Sequence, residues 1–389
     1  MTLRVLLVGG PMYDPLYERI AEFEEREGVG VETVVAPTHP DLNERIEDEF
    51  GSGTDSYDLI STHTKYAPSQ RRWLTPLDDD LRDEELEPFT LSTLELARVD
   101  GLLYGVPRNL DVKLLLYRTD LLDVPPASWE DLRETAVRLR SADPSGDLYG
   151  FAFPGKESGL FGHFFELHAM AGGKMFEYEG PPAPRMDDEA GRWALGLLKD
   201  LYERAAPRET PDWHYDEVAA CFREGWAAMS TDWPGGFYTY VDPEQSKVVD
   251  RFDVALYPAG NAGRHVYSSS HTFAIPTTVR DRAGAVELLR FLTSRESQAY
   301  EARLGTLPAR ADALRDVRAE ADTGSLAGRR WGLLEEAQEL ALVPPKHPDY
   351  PAVEDAIWEG VREVFLGNKS VEEALRDTEA AAGRAAEGA

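Results

Sequence analysis

Residues 3–37 read "LRVLLVGGPMYDPLYERIAEFEEREGVGVETVVAP", and this stretch decides the fold class. It begins with a continuous apolar run that stops at Gly9, which is the pattern of a strand buried on both faces of a sheet. A helix is predicted next, with Asp14 as its cap and Gly28 at its end. The buried face of that helix has apolar residues at helical spacing: Leu16, Ile20 and Phe23. A second strand ends before Pro37, so the order is strand, helix, strand.

The following segments repeat this order. A second helix is predicted to end at Gly51, and three apolar residues mark its buried face: Leu42, Ile46 and Phe50. The strand "YDLIST", residues 57–62, comes next. Alternation of this kind predicts a parallel sheet with right-handed crossovers, whose ligands bind beyond the carboxyl ends of the strands. Five residues in the loops at those ends are therefore candidates for ligand binding: Tyr13, Asp14, His63, Lys65 and Tyr66.

A second lobe is expected because 389 residues exceed the size at which a single core stops growing. In it, Ser128 is predicted to cap a helix, residues 149–153 to form a strand, and residues 216–224 to form another helix. The strand "WAAMSTD", residues 226–232, then leads into "STDWPGGFYTY", residues 230–240. Pro-Gly-Gly prevents this segment from continuing as a helix or a central strand, yet it carries four aromatic residues. These rings are either core residues or plates for a ligand.

Charge and cysteine content exclude several classes of protein. The 71 acidic and 41 basic residues give a net charge of -30, which repels nucleic acid and anionic membrane surfaces. Apolar residues make up 42% and charged residues 29%, the balance of a folded globular protein. Cys221 is the one cysteine, so neither an internal disulfide nor a cysteine metal cluster is expected. Residues 1–11 are too short, and too soon followed by charge, to be expected to act as a secretion signal.

The sequence contains no motif for a bound nucleotide, a metal or a serine nucleophile, so no cofactor and no metal are expected. The "GGP" after the first strand matches neither the dinucleotide nor the P-loop pattern, and neither G-x-S-x-G nor H-E-x-x-H occurs. In "HFFELH", His163 and Glu166 share a helix face while His168 points about 140° away, which favours partly buried or groove-lining side chains. Glycoside hydrolysis stays open on counting alone, since it needs only two carboxylates.

Six stretches, in this order along the chain, agree with one protein family. They are "GLLYGVPRNLDVKLLLYRTDLL" (101–122), "PPASWEDL" (125–132), "GWAAMSTDWPGGF" (225–237), "AVELLRFLTSRESQ" (285–298), "GTLPARADAL" (305–314) and "PDYPAVEDAIWEGVREVFLGNKSVEEAL" (348–375). On these stretches the chain resembles the extracellular solute-binding proteins of ABC importers, in the maltose-binding-like group that carries sugars.

The resemblance implies a two-lobe α/β fold like that of periplasmic binding proteins, with a ligand cleft that closes between the lobes by hinge motion. The expected lobes are 1–109 with 268–312, and 110–267 with 313–389. Binding without bond-making is implied, so the protein is not expected to be an enzyme. The resemblance further implies a sugar ligand, an ABC permease with its ATPase as partner, a monomeric state, and an extracytoplasmic location, either periplasmic or tethered to the cell surface.

A sugar has apolar C–H faces and hydroxyl edges, so its site needs aromatic plates together with carboxylate, amide or arginine groups. Trp233, two residues before the position of the family's tryptophan, is the first predicted plate, with Phe237 and Tyr238 beside it. By the same matching, Asp111 stands where sugar binders carry an acidic ligand residue. Arg108 either donates to the ligand or pairs with Asp111.

The remaining candidates lie elsewhere in the chain. Ser269, Ser270 and His271 precede a strand at an expected crossing between the lobes, where small hydroxyls serve the hinge or the ligand. Trp213 and Glu157 complete the predicted ligand-binding set. The alternatives are a polyamine held between acids and aromatic plates, a carbohydrate-active enzyme of two lobes, and a sensor that shares the fold and has no transporter.

Overall fold

The computed structural model describes residues 2–53 and 56–388 of the chain. The chain divides into two compact units, each assembled from separate segments. Unit 1 holds the chain up to Asp111, Pro234–Gly236 and Ser269–Ala321. Unit 2 holds Val112–Trp233, Phe237–Ser268 and the chain from Asp322 onward.

Strands and helices are numbered along the described residues. The strands are β1 (Thr2–Val8), β2 (Gly30–Ala36), β3 (Leu59–His63), β4 (Arg98–Val99), β5 (Leu102–Leu103), β6 (Val106–Pro107), β7 (Leu114–Arg118), β8 (Tyr149–Ala152), β9 (Ala227–Asp232), β10 (Phe252–Ala255), β11 (Val266–Tyr267), β12 (His271–Ala274) and β13 (Ala341–Leu342). The helices are α1 (Asp14–Glu27), α2 (His39–Ser52), α3 (Ala67–Gln70), α4 (Asp83–Leu86), α5 (Leu91–Ala97), α6 (Trp129–Ala142), α7 (Glu157–Met170), α8 (Glu189–Ala205), α9 (Tyr215–Arg223), α10 (Tyr238–Val241), α11 (Arg282–Leu292), α12 (Arg295–Arg303), α13 (Ala311–Glu320), α14 (Leu326–Gln338), α15 (Tyr350–Phe365) and α16 (Val371–Ala385).

The predicted boundaries at 109 and 267 lie within two residues of those of the units, and the division differs more at two other places. A division at residue 312 would cut α13, which packs on α12 and stays whole within unit 1. Pro234–Gly236 also belongs to unit 1, although the prediction gave it to the other lobe. Its backbone comes close to the first loop, since a Cβ atom on Gly235 would lie 3.3 Å from the Met12 Cβ. A side chain there would therefore crowd this approach.

The sheet of unit 1 has the strand order β2-β1-β3-β12-β6. β1 pairs in parallel with both β2 and β3, which confirms the strand and helix alternation predicted for the first 62 residues. The prediction did not cover the other two strands of this sheet, and β12 runs antiparallel to β3 and to β6. Antiparallel neighbours do not need the long crossover that parallel strands require.

Strand β1 is buried on both faces, as its continuous apolar run predicts. One core of unit 1 contains alternate residues of β1 with the stripe of α1: Leu3, Val5, Leu7, Leu16, Ile20 and Phe23. The other core contains the remaining β1 residues with the stripe of α2: Leu6, Val8, Leu42, Ile46 and Phe50. The sheet therefore lies between two hydrophobic layers, which fixes the positions of the strand ends.

The ends of the first two helices correct two predictions. Gly28 ends α1 with a φ of 65°, as expected. The N-cap is Tyr13 rather than Asp14, because a 3-10 turn runs straight into the helix and the backbone of Asp14 is already helical. The Asp14 carboxylate still lies in the first turn, where the helix dipole favours it. Helix α2 continues past Gly51 and ends at Gly53, also with a φ of 65°.

Unit 2 has its own sheet, with the strand order β10-β7-β9-β8. β7 is antiparallel to β10 and β9, and β8 is parallel to β9. The Ser128 hydroxyl caps α6 by accepting a hydrogen bond from the backbone N–H of Asp131 at 3.1 Å, as predicted. β9 ends immediately before Trp233, so the aromatic segment does follow a strand. Among the described residues, none of the helices combines the length and the apolar character that crossing a bilayer would require.

Candidate functional site

The strand ends of unit 1 bring together a group of side chains that we call the histidine cluster. Its members are Tyr13, His39, His63, Asp111 and His271. Tyr13 follows β1, His39 is the first residue of α2, and His63 is the last residue of β3. His271 opens β12 and lies directly opposite His63 in the antiparallel register. The cluster therefore forms at the carboxyl edge of the parallel strands, where the sequence predicted a ligand crevice.

The aromatic members of the histidine cluster touch one another. The ring of His271 stacks on that of His39 with centroids 4.7 Å apart and meets His63 edge-on at 4.9 Å. The Tyr13 hydroxyl lies 3.0 Å from His39 Nε2, and its ring lies 5.8 Å from that of His271. Tyr66 adds a further ring at 5.9 Å from His63. All of these except His39 and Tyr66 are buried.

Polar contacts hold the cluster's carboxylate and imidazoles in place. Asp111 Oδ2 lies 3.2 Å from His271 Nε2, and Asp111 Oδ1 accepts a hydrogen bond from Asn109 Nδ2 at 2.7 Å. Asp111 is placed by an antiparallel bridge to Ser269. The Ser269 hydroxyl in turn lies 2.8 Å from His63 Nε2. Ser270, another predicted residue, instead donates its hydroxyl to the backbone carbonyl of Asn109 at 2.7 Å.

Burial changes the protonation of the histidine cluster. Burial raises the pKa of Asp111 to about 7, against the hydrogen bond from Asn109 that favours its ionised form. Burial and neighbouring positive groups hold the pKa values of His63 and His271 well below the ordinary value for histidine. At neutral pH these two imidazoles are uncharged and Asp111 is near the midpoint of its titration. The cluster thus presents mainly neutral donors and acceptors.

Arg108 forms a hydrogen-bonded ion pair with Glu301, whereas Asp111 acts on it only electrostatically in the contacts described. Its Nε atom donates to Glu301 Oε2 at 2.7 Å, and both side chains are buried. Burial opposes the charge of Arg108, but Glu301 outweighs this and raises its pKa. The guanidinium also lies over the ring of Tyr13, 5.0 Å from the centroid. Arg108 is therefore adjacent to the histidine cluster and compensated by an acid that the sequence analysis did not identify.

A second group, which we call the tryptophan cluster, forms within unit 2. Its members are Lys113, His163, Glu166, Trp233 and Tyr257. Lys113 precedes β7 and Trp233 follows β9, and these strands pair so that Leu114 is opposite Asp232. Lys113 Nζ lies 2.7 Å from Glu166 Oε1, 5.4 Å from the ring of Trp233 and 5.1 Å from that of Tyr257. A buried ion pair therefore stands against two aromatic rings.

The ring of Trp233 is 7% exposed and meets two tyrosines edge-on. Tyr215 lies 5.6 Å from it and Tyr267 lies 6.1 Å from it, measured between ring centroids. Its indole Nε1 is buried and makes no hydrogen bond to any residue that the structure describes. Glu157 approaches the same surroundings, since its Oε2 lies 3.6 Å from Nε2 of His214, whose ring contacts Tyr215 at 4.1 Å.

Helix α7 supplies both acid and imidazole to the tryptophan cluster. His163 Nδ1 lies 3.3 Å from Glu166 Oε1, whereas His168 is directed elsewhere and its Nε2 lies 3.2 Å from Asp188 Oδ1. This matches the division of faces predicted for "HFFELH". Burial lowers the pKa values of His163 and Lys113 and raises that of Glu166. Lys113 is the residue that sequence reasoning missed here.

Three further residues of unit 2 complete the set predicted for ligand binding. Phe237 packs on Phe252 with ring centroids 6.2 Å apart and lies under the guanidinium of Arg330 at 4.1 Å, which is the environment of a core residue. Tyr238 is half-buried at the start of α10. Trp213 is half-buried, and its backbone carbonyl accepts a hydrogen bond from the N–H of Gly155 at 3.0 Å.

Three comparisons relate this chain to known proteins. A family model described as bacterial extracellular solute-binding protein matches residues 9–299. A probable amino-acid ABC transporter periplasmic-binding protein of Sinorhizobium fredii is 23% identical over 333 residues, which cover 81% of this chain and 74% of that protein. Maltose-bound MalE3 of T. maritima superposes with a TM-score of 0.87 and 22% identity, covering 97% of this chain and 98% of that one.

A solute-binding protein of Agrobacterium radiobacter in complex with ribitol also gives a TM-score of 0.87, at 21% identity, and covers 99% of this chain and 98% of that one. At such identities the solved structures establish the fold, and they confirm the predicted α/β class of periplasmic binding proteins. The family model extends over most of the length of the sequence. The chain therefore belongs to the bacterial extracellular solute-binding protein family.

Proposed function

We propose that this protein is the substrate-binding component of an ABC importer and that it binds a sugar or oligosaccharide without making or breaking bonds. The observation that carries the proposal is the state of Trp233, a buried ring whose Nε1 has no hydrogen-bond partner among the described residues. A sugar supplies both a C–H face for an aromatic ring and a hydroxyl oxygen for the indole N–H.

The histidine cluster supports the same class of ligand. Neutral imidazoles, a tyrosine hydroxyl and a carboxyl group offer both donors and acceptors, which is what a hydroxyl edge requires. His271 Nδ1 and Glu301 Oε1 are also buried without a hydrogen-bond partner in the described part of the chain. Because such an atom costs about 1–3 kcal/mol, a ligand hydroxyl that satisfies it contributes to binding.

The charges favour a neutral ligand over a polyamine. In each unit a buried acid is already matched by a buried cation: Glu301 faces Arg108 in unit 1, and Glu166 faces Lys113 in unit 2. Asp111, with its pKa raised by burial to about 7, is only partly ionised at neutral pH. A polyamine would need ionised carboxylates that no other cation neutralises.

The relatives point in the same direction. Two solved structures of the same fold hold maltose and ribitol, which are both polyhydroxy compounds without charge. The probable amino-acid transporter relative makes a zwitterion the second ligand class to test. We further propose an extracytoplasmic location, a monomeric state and an ABC permease with its ATPase as partner, in line with the family. The ligand-binding roles of the individual residues are part of this proposal.

A thermal-shift screen tests the ligand class, with maltose, maltotriose, ribitol, an amino-acid mixture and spermidine as probes. A sugar or polyol is expected to raise the melting temperature, since a ligand at 100 times its Kd stabilises by about 2.7 kcal/mol. Product analysis after the same incubation is expected to show the probe unchanged. Released products would identify an enzyme, and a response to spermidine alone would overturn the sugar proposal.

The Trp233→Phe substitution then tests the indole group in the binding protein. It keeps an aromatic ring but removes the N–H together with the five-membered ring of the indole. Affinity for the responding sugar is therefore expected to fall about tenfold or more, the value of one hydrogen bond plus the lost ring contact. Trp193→Phe is the matched control, because the Trp193 Nε1 donates at 3.1 Å to Glu130, which is a member of neither cluster. Equal affinities of the two variants in titration calorimetry would remove Trp233 from the site.

A further inference from the structure

We propose that His63, Asp111 and His271 form a binding site for one divalent transition-metal ion of the zinc type. Each residue offers one ligand atom, and these three atoms all lie within 4.8 Å of one another. All three side chains are buried. Such a site goes beyond the sugar binding proposed above and does not depend on it.

The distances between the ligand atoms are close to those of a metal centre. Asp111 Oδ2 lies 3.2 Å from His271 Nε2 and 3.9 Å from His63 Nε2. Zinc bonds of about 2.0–2.1 Å in a tetrahedron place neighbouring ligand atoms about 3.3 Å apart. The separation between His63 and Asp111 is longer than this, and all three ligand atoms lie within 4.8 Å of one another, so metal binding requires the His63 ring to move inward.

The backbone fixes this arrangement. His63 and His271 are opposite each other in the pairing of β3 with β12. Asp111 is held by its bridge to Ser269 and by the hydrogen bond from Asn109. The two imidazoles lie on paired strands, and the carboxylate is held beside them by an isolated bridge, so the backbone brings all three groups together. Three protein ligands leave a fourth position for water or for an oxygen of a bound solute.

The neighbouring charges decide which ions suit the site. Arg108 and Lys65 both interact electrostatically with Asp111, and their positive charge opposes an ion held by charge alone. Ca²⁺ and Mg²⁺ prefer six or more oxygen ligands and are therefore disfavoured. Zn²⁺, Co²⁺ and Ni²⁺ bind imidazole nitrogen strongly, so the donor set selects these ions.

Metal binding displaces two existing contacts of His63. Its Nε2 lies 2.8 Å from the Ser269 hydroxyl, and its Nδ1 lies 3.4 Å from the backbone N–H of Lys65. Coordination through Nε2 moves the imidazole proton to Nδ1, which gives up the second of these contacts. That contact is long, so little is lost when it breaks.

Cobalt binding tests the proposal on the full chain after treatment with a chelator. Titration with Co²⁺ is expected to give one equivalent bound and the intense visible absorption of a four-coordinate site with nitrogen ligands, which Zn²⁺ then displaces. Asp111→Asn and His271→Gln are each expected to weaken Zn²⁺ binding tenfold or more, as even outer-shell changes at metal sites do. Titration calorimetry with Zn²⁺ measures these affinities.

His168→Gln is the control, because it removes a buried histidine that faces Asp188 and belongs to neither cluster, and leaves the three proposed ligands intact. It is expected to bind Zn²⁺ like the wild-type protein. The proposal fails if the wild-type protein shows no saturable Zn²⁺ binding, or if bound Co²⁺ keeps the weak absorption of the hydrated ion. It also fails if folded Asp111→Asn and His271→Gln variants bind Zn²⁺ as tightly as the control. If a variant does not fold, the cobalt spectrum of the wild-type protein still tests the proposal.

Discussion

At the scale of single residues, the tryptophan cluster depends on a buried ion pair. Lys113 and Glu166 are 2% and 0% exposed, and their charged atoms lie 2.7 Å apart. Glu166 Oε2 also accepts a hydrogen bond from the backbone N–H of Tyr267 at 2.9 Å. Removing one partner of such a pair leaves the other as an uncompensated charge, which is more costly than losing the attraction itself.

The Lys113→Met substitution is therefore expected to lower the free energy of unfolding by about 3–5 kcal/mol. Adding Glu166→Gln should recover part of this loss, because glutamine is neutral and still accepts from Tyr267. The control is Lys174→Met, at an exposed pair with Glu177, for which no measurable change is expected. Urea unfolding measures all three variants. A double variant less stable than Lys113→Met would contradict the ion-pair explanation.

His163 is also expected to make the free energy of unfolding depend on pH. Burial holds its folded-state pKa well below the unfolded value near 6.5, so below that pH the unfolded chain binds a proton that the folded chain refuses. The stability that the neutral, buried His163 contributes is fully present above about pH 6.5 and is lost as the pH falls below that value. The positive charge of Lys113 also lowers the pKa of His163. Glu166 changes stability in the opposite direction, because burial raises its pKa and the folded chain then holds a proton that the unfolded chain releases.

Comparison of His163→Gln with the wild-type protein isolates this residue. The difference between their unfolding free energies should stay constant above pH 6.5 and narrow below it, by at most about 1.4 kcal/mol per pH unit. Denaturant titrations at several pH values between 5 and 8 measure it. Parallel curves over the whole range would show that the pKa of His163 is the same in the folded and the unfolded chain, against the effect of burial.

At the scale of elements, the packing of α6 on β8 in unit 2 requires a glycine. A Cβ atom on Gly150 would lie 2.1 Å from the backbone oxygen of Ala136, which cannot move without displacing α6. Gly150→Ala is therefore expected to lower stability by about 1–3 kcal/mol through overpacking. Gly196→Ala in α8 is the matched control, because nothing lies within 4 Å of its Cβ position.

That control should stabilise the protein by about 0.5–1 kcal/mol, since alanine loses less backbone entropy than glycine in a helix. If α6 approaches β8 this closely, thermal unfolding should show a lower melting temperature for Gly150→Ala and a higher one for Gly196→Ala than for the wild-type protein. Equal effects would mean that α6 can shift away from β8 at little cost.

At the scale of the whole molecule, the net charge of -30 opposes compactness. The Debye length falls from about 10 Å at 0.1 M salt to about 3 Å at 1 M, so added salt screens this self-repulsion. The melting temperature is expected to rise with NaCl concentration at pH 7.5. The rise should shrink near pH 4.6, the sequence isoelectric point, where the net repulsion vanishes. A melting temperature independent of NaCl at pH 7.5 would show that the excess acids are too dispersed to repel.

The fold class could be predicted from the sequence because its determinants are local. The continuous apolar run of β1 and the helical stripes of α1 and α2 each lie within about ten residues, and their order fixes three parallel strands. The same local reading placed His63 at the end of one strand and Trp233 at the end of another. The predicted closure of two lobes around a ligand stays a prediction.

Pairings between distant segments could not be predicted in this way. The partner of Arg108 is Glu301, which lies 193 residues away in the sequence. The partner of Lys113 is Glu166 on helix α7. His39 was overlooked, although it follows β2, just as His63 ends β3. The position of His39 after a strand of the parallel sheet is the feature by which the sequence analysis could have identified it.

The sequence by itself determined the alternation of strands and helices, the family and the loops that carry function, since these depend on periodicity and on residue order. Only the tertiary structure decided which of these loops meet, because β12 enters the sheet from more than 200 residues away and sets His271 against His63. It also decided the charges of the clusters, because the pKa values of buried groups follow from the atoms packed around them.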